Sequence, residues 1–244
     1  MTTDRVERIW KRAAAALERD TRVNLHSYPV QGRGDEGRLV LSGLVEDIAA
    51  KRIIELLVRE AADGVEVVSR LRVTPSAHQE DGALRDQVER NLREEPALRD
   101  TDLQVCSGDQ PQTVRSIGAG ASGLIQVQAA DGIVQLRGQV ASLTHSRLAE
   151  VLAWWAGGCE AVVNCLQVVP PERDDDGELV DAVRMVLERD PLVHADHFVV
   201  RANAGIVRLG GAVRSDEEKR LAILDVWYVP GVRDVVDGVE VLGL

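Results

Sequence analysis

DGIVQLRGQVASLTHSRLAEVLAWWAGGCEAVVNCLQV, residues 131–168, is the stretch from which the 244-residue chain can be ordered, because two relatives of it occur elsewhere. They are RLVLSGLVEDIAAKRIIELLVREAADGVEVVSRLRV, residues 38–73, and GIVRLGGAVRSDEEKRLAILDVWYVPGVRDVVDGVEV, residues 205–241. The three share a register. Gly43, Gly138 and Gly211 each end a β-like run, an arginine follows nine residues later (Arg52, Arg147, Arg220), and a Val-Val pair begins twenty-four residues later (Val67, Val162, Val235). Self-similarity at this long a period points to three tandem domains rather than a solenoid of short repeats.

Within the middle copy, Ile133 to Val140 has apolar residues on both parities, as a strand with one fully buried end would, and Gly138 marks a place where a side chain is not tolerated. Ser142, with Asp47 and Ser215 at equivalent places, is suited to accept a hydrogen bond from the free N–H groups of a following helix. That helix is read as amphipathic, with Leu148, Val151, Leu152 and Trp155 on one stripe. The matching stripes are Ile53, Leu56, Leu57 and Glu60 in the first copy and Leu221, Leu224, Asp225 and Tyr228 in the third. Gly64, Gly158 and Gly231 are expected to end the helices in a left-handed turn. In the last strand Val162, Asn164, Leu166 and Val168 share the face expected to meet the helix, and Val163, Cys165 and Gln167 share the other.

A further helix precedes each strand pair, with apolar residues at four-residue spacing: Ile9, Ala13 and Leu17; Leu84, Val88 and Leu92; Leu179, Val183 and Leu187. Each series stops at Asp20-Thr21, Glu95-Pro96 or Asp190-Pro191, and proline lacks the N–H a helix needs. Short β segments are expected near Val23 to Val30, Leu103 to Val105 and His197 to Arg201. Each unit therefore reads α-β-β-α-β.

The order helix, D-P, strand, G-x-V-x-L-x-G-x-V, helix, G-V-x-x-V-x-N, strand resembles the BON domain family, bacterial osmotic-stress and nodulation domains. The middle copy fits best, with Gly132, Val134, Leu136, Gly138, Val140, Gly158, Val162 and Asn164 in place. The third keeps Gly205, Val207, Leu209, Gly211, Val213, Gly231, Val232 and Val235. The first keeps Leu39, Leu41, Gly43, Val45, Gly64 and Val65 but has Asp20-Thr21 for Asp-Pro, and Ser69 and, in the third copy, Asp237 stand where the pattern has asparagine. The resemblance implies an α+β fold, three small αββαβ domains each with a three-stranded mixed sheet on two helices. It also implies a non-catalytic module of a kind associated with phospholipid membranes, small cations or protein partners.

The expected domains are 1–74, 82–169 with a loop inserted at 106–130, and 177–244, joined by the polar linkers Thr74 to Gly82 and Pro170 to Gly177. Domains this small have thin cores, and with only 3% aromatics those cores are filled by Val, Leu, Ile and Ala, so packing on another domain or subunit is expected. The N-terminal residues interleave charges and give no apolar run of signal-peptide length, which is the basis for expecting a cytoplasmic protein. The run Asp174 to Asp176 reads as linker or as the favourable N-terminal charge of the next helix.

The insertion contains Gly118-x-Gly120-x-x-Gly123, formally a dinucleotide fingerprint, but without the preceding strand and following long helix that would place a phosphate. A flexible loop, or a hairpin with Leu124 to Val127 as a strand extending the sheet, is expected instead.

No catalytic constellation, metal site or cofactor is expected. Cys106, Cys159 and Cys165 form no C-x-x-C pair; Cys159 takes the place of Val65 and Val232 and reads as core, while Cys165 reads as outward-facing. His194-Ala-Asp-His197 offers two metal donors, short of the three or four a transition metal needs, and reads as a turn. The interaction candidates are aromatic. Trp154 and Trp227 share one repeat position and Trp155 and Tyr228 the next, and neighbouring helix positions differ by about 100°, so either one of each pair lies at an interface between domains or subunits, or both wrap the helix end and seal a small domain. A net charge of −11 argues against nucleic acid and anionic lipid. Self-association or a protein partner is the leading expectation, with a potassium-like monovalent cation or a phospholipid membrane as alternatives, and a stress- or envelope-linked role.

Overall fold

A computed structural model describes residues 3–108 and 110–243. Met1 and Thr2 of the first expected domain, Asp109 of the expected insertion and Leu244 of the third domain lie outside the described residues. The backbone divides into two compact units, Met1–Thr74 and Pro75–Leu244.

The first unit runs α1 (Thr3–Leu17), β1 (Gln31–Asp35), β2 (Arg38–Val45), α2 (Ile48–Ala61) and β3 (Val67–Val73). Its sheet has the order β1-β2-β3, with an antiparallel β1–β2 hairpin and β3 parallel to β2. Ile9, Ala13 and Leu17 of α1 are buried, as are Leu39, Leu41 and Val45 of β2.

The second unit holds two further sheets. The third repeat copies the first: α5 (Asp176–Leu187), β9 (Phe198–Asn203), β10 (Ile206–Val213), α6 (Asp216–Tyr228) and β11 (Asp234–Val241), with β10 between β9 and β11. The middle repeat runs α3 (Asp81–Glu94), β4 (Thr101–Ser107), β5 (Gln110–Arg115), β6 (Gly123–Ala130), β7 (Ile133–Val140), α4 (Leu143–Trp154) and β8 (Ala161–Val168). Its sheet has five strands, β5-β4-β6-β7-β8, where three were expected. Mixed α+β repeats are therefore what the chain builds.

The insertion is consequently sheet rather than loop. Leu124 to Val127 does form a strand, but β6 lies inside the sheet, parallel to β4 and antiparallel to β7. It takes the place beside β7 that β9 takes beside β10, and displaces β4 outward. Arg115 anchors the segment. Its guanidinium donates to the carbonyls of Thr101 (2.8 Å), Leu98 (2.6 Å) and Arg93 (3.1 Å), satisfying backbone oxygens at the end of α3 and the start of β4. The Gly118–Gly120 turn is a single 3-10 turn leading into β6, not a phosphate loop.

In the first repeat the strand falls at Gln31–Asp35 rather than Val23 to Val30. The earlier segment is held in turns by its own side chains: Asp20 accepts from the N–H of Arg22, and Asn24 from that of Ser27. The acid before Thr or Pro has this role in every repeat, since Glu95 accepts from the Ala97 N–H and Asp190 from the Leu192 N–H. That shared turn is why Asp-Thr can stand in for Asp-Pro.

Asp47, Ser142 and Ser215 cap α2, α4 and α6 through the N–H groups of Ala50, His145 and Glu218. A Cβ at Gly138 would lie 2.1 Å from the Leu124 carbonyl oxygen, and at Gly211 2.0 Å from that of His197, both at positive φ, so the glycines let the hairpin partner close in. Gly64 and Gly231 have positive φ, but Gly158 does not. It is small for another reason: a Cβ there would sit 2.7 Å from Gln79 Cβ, in the linker that crosses the end of α4.

The buried stripes of the second helices differ from expectation. On α6 they are Glu218, Ala222, Asp225, Val226 and Trp227, with Leu221, Leu224 and Tyr228 half-buried; on α2 they include Ala50, Lys51, Ile54, Glu55 and Val58, with Glu60 exposed. Small and charged residues occupy inward positions that an apolar pattern skips. Every residue of α4 from Arg147 to Trp154 is buried, because helices flank it on both sides.

Candidate functional site

The inward-facing polar residues form one device repeated with different parts. At the asparagine position of the last strand, Asn164 donates to the Ser146 carbonyl (3.1 Å) and to Glu150 (3.2 Å) on α4. In the third repeat Asp237 pairs with Lys219 of α6 at 2.8 Å, and in the first Ser69 hydrogen-bonds Glu55 of α2, which also pairs with Lys51 at 3.4 Å. Each residue also accepts from the N–H two residues on: Leu71, Leu166 and Val239. Changes at the strand position are matched by changes on the helix. Ser69 and Asn164 are half-buried and Asp237 is exposed, and satisfied polar pairs of this sort tie the helix to the last strand of its sheet.

The three aspartates at the start of α5 are likewise structural. Asp174 accepts from Arg147, Asp175 caps the helix through the N–H groups of Gly177 and Glu178, and Asp176 accepts from the N–H groups of Ala204 and Gly205 in the β9–β10 turn. Asp81 does the same for Asp131 and Gly132 in the β6–β7 turn. These hydrogen bonds hold the carboxyls of Asp81 and Asp176 below the usual range.

Three of the aromatic candidates, Trp154, Trp155 and Tyr228, gather where the middle and third repeats meet. Trp154 at the end of α4 lies against Tyr228 at the end of α6, ring centroids 6.2 Å apart and planes tilted by 40°. Trp154 and Trp227 are each 5% exposed, and their neighbours Trp155 and Tyr228 are half-buried. Trp155 hydrogen-bonds Asp225. Three further links cross the same junction. Arg189 Nε meets the buried carboxylate of Glu95 at 2.8 Å, Arg147 Nε donates to the Pro230 carbonyl at 2.9 Å, and Thr144 Oγ1 donates to Glu178 at 3.3 Å. Sequence order offered no signal for Glu95, Arg189 or Pro230, since each finds its partner on another repeat.

Asp225 is the unusual acid of this junction. Burial raises its pKa, the neighbouring Asp190 adds to the rise through charge and a hydrogen bond, and the bond from Trp155 only partly offsets them, leaving it at about 8. It is a neutral carboxylic acid at neutral pH.

The recurring arginines do not share a role. Arg147 is buried and bridges two repeats, whereas Arg220 pairs with Glu217 at the surface. Cys159 is buried and Cys165 exposed, as their strand and turn positions require.

A second grouping lies away from this junction. His194, in the turn after α5, and His197, just before β9, stack with ring centroids 5.2 Å apart, and Glu218 in the first turn of α6 reaches both. His194 Nδ1 is 2.9 Å and His197 Nδ1 3.7 Å from Glu218 Oε1. The sequence offered the two histidines; the third donor, distant in the chain, was missed.

Among the described residues no helix is long and apolar enough to cross a membrane. None of the curated proteins matches the chain. Among solved structures it is similar to CdsD, a structural protein of the type III secretion system of Chlamydia trachomatis, at 15% identity over 90% of this chain and 89% of that one, with a TM-score of 0.26. A structure of the C-terminal domain of CdsD is similar at 16% identity over 89% and 93%, also with a TM-score of 0.26. Likeness at that level carries no argument about arrangement or role. The BON domain, by contrast, matches residues 6–75, 118–170 and 175–243; the last segment begins at α5, where the third repeat begins, and the second begins just ahead of β6, inside the middle repeat. With most of its length so matched and the hairpin glycines, helix caps and strand polar residues recurring in register, the chain belongs to the BON domain family.

Proposed function

We propose that the chain is a non-catalytic assembly module of three BON domains, 1–74, 82–169 and 177–244, working by self-association or by binding a protein partner. The observation that carries this reading is the junction of the middle and third repeats. There, buried side chains are spent on joining one repeat to the next: Trp154 on Tyr228, Glu95 on Arg189, Arg147 on Pro230. The same repeats present sheet faces away from their helices. On the third, Val199 (54% exposed) and Ile206 (43%) flank Arg201 and Arg208, and this face is the proposed contact surface. Trp154 and Trp227 are each 5% exposed, and in this reading they stabilise the module.

Three cysteines outside any disulfide accord with a cytoplasmic setting, in a stress- or envelope-linked pathway. The test is sedimentation equilibrium of the full chain over a wide concentration range, beside pull-down with the Val199→Glu variant as control. A dimer or larger species that Val199→Glu weakens supports self-association. A strict monomer that captures no partner protein specifically overturns the assembly reading.

A further inference from the structure

We propose that His194, His197 and Glu218 form a binding site for a divalent transition metal ion of the zinc class, built into the third repeat. One ligand atom from each of the three side chains lies within 4.8 Å of the other two. In a tetrahedral site with bonds of about 2.1 Å, donors stand about 3.4 Å apart. The distances from Glu218 Oε1 to the two Nδ1 atoms, 2.9 and 3.7 Å, bracket that value.

The chemistry of the set selects the ion. Two imidazoles and a carboxylate suit zinc, cobalt, nickel or copper, whereas calcium and magnesium prefer oxygen alone. Three protein ligands leave a fourth position for water or for a donor from another molecule. The exposure of the histidine rings, 69% and 40% of their side chains, keeps that position open.

The carboxylate is held for this geometry. Glu218 is fixed at the start of α6 by the cap from Ser215, and its Oε1 also accepts from the His194 backbone N–H at 3.1 Å. At the same repeat position the first copy has Ala50 and the middle copy His145, so neither supplies the carboxylate. This inference does not depend on self-association. A metal site that fails would leave the assembly reading standing.

The test uses the untagged full chain stripped of metal with chelator. Zinc titration by calorimetry is expected to give one ion per chain, and cobalt the visible absorption of a four- or five-coordinate ion without a thiolate charge-transfer band. Saturating zinc is expected to raise the unfolding midpoint by several degrees, because only the folded state gathers the three donors. His194→Ala, His197→Ala and Glu218→Gln should each weaken zinc at least about tenfold, and His145→Ala should not. The ring of His197 is surface-exposed, so His197→Ala tests the site without threatening the fold, which far-ultraviolet circular dichroism verifies. Absence of binding, binding indifferent to the two histidine substitutions or to Glu218→Gln, or binding abolished by Cys106→Ser would each overturn the proposal.

Discussion

Trp154 and Tyr228 occupy adjacent positions of the repeat on different copies, and their rings meet 6.2 Å apart where α4 and α6 end. The pairing is asymmetric: position sixteen after the reference glycine in the middle copy meets position seventeen in the third. One tandem therefore uses the two aromatic positions for different tasks, sealing the core of a repeat and docking it on its neighbour.

Tyr228→Ala is expected to destabilise the chain by about 1–3 kcal/mol, the loss of a half-buried aromatic and its ring contact. Leu192→Ala, at a residue 65% exposed, should stay within about 0.5 kcal/mol. Urea unfolding by tryptophan fluorescence reads both. Equal effects would show that the ring contact contributes nothing.

Glu95 is buried and Arg189 less than a third exposed, so truncating one leaves the other's charge poorly solvated. Arg189→Ala and Glu95→Gln should each cost about 1–3 kcal/mol, while the double variant costs less than their sum. A double-mutant cycle with zero coupling would show that the ion pair does not hold the repeats together.

Asp225 gives the stability curve a sign opposite to that of most acids. Its pKa in the folded chain is about 8, against about 3.9 for an unperturbed aspartate. Between those values the unfolded chain gives up a proton that the folded chain keeps, so stability falls as pH rises through the window and levels off above it. Asp225→Asn keeps an acceptor for Trp155 and supplies a donor for Asp190. The variant should match the parent near pH 4 and exceed it by on the order of a few kcal/mol near pH 8. Thermal melts across that range decide; parallel curves for the two proteins would refute the buried, neutral acid.

Gly138→Ala should be severe and Gly64→Ala mild. The added methyl meets the Leu124 carbonyl oxygen in the first case and nothing within 4 Å in the second, where only the positive φ of 78° resists it. Expected costs are above about 3 kcal/mol against about 1 kcal/mol. Comparable melting points would show that backbone conformation, not the close approach, selects glycine at 138.

Much of this was legible along the chain. The four-residue spacing of Leu84, Val88 and Leu92, the caps at Asp47, Ser142 and Ser215, and the alternation of Val162, Asn164, Leu166 and Val168 reflect interactions within a few residues or the period of one element, and such forces act on local sequence. Recurrence in three copies then told which glycines matter. Local sequence determined the helices, their caps and the repeat, but not where the first hairpin strand lies or that β5 pairs with β4. Tertiary structure decided the rest: that β6 enters the middle sheet beside β7, that Arg115 orders the inserted segment, that Trp154 finds Tyr228, and that Glu218 joins two histidines more than twenty residues earlier. Each of these depends on groups brought together only after the elements pack, when burial removes water and leaves a polar group or an aromatic face no partner except one distant in the chain.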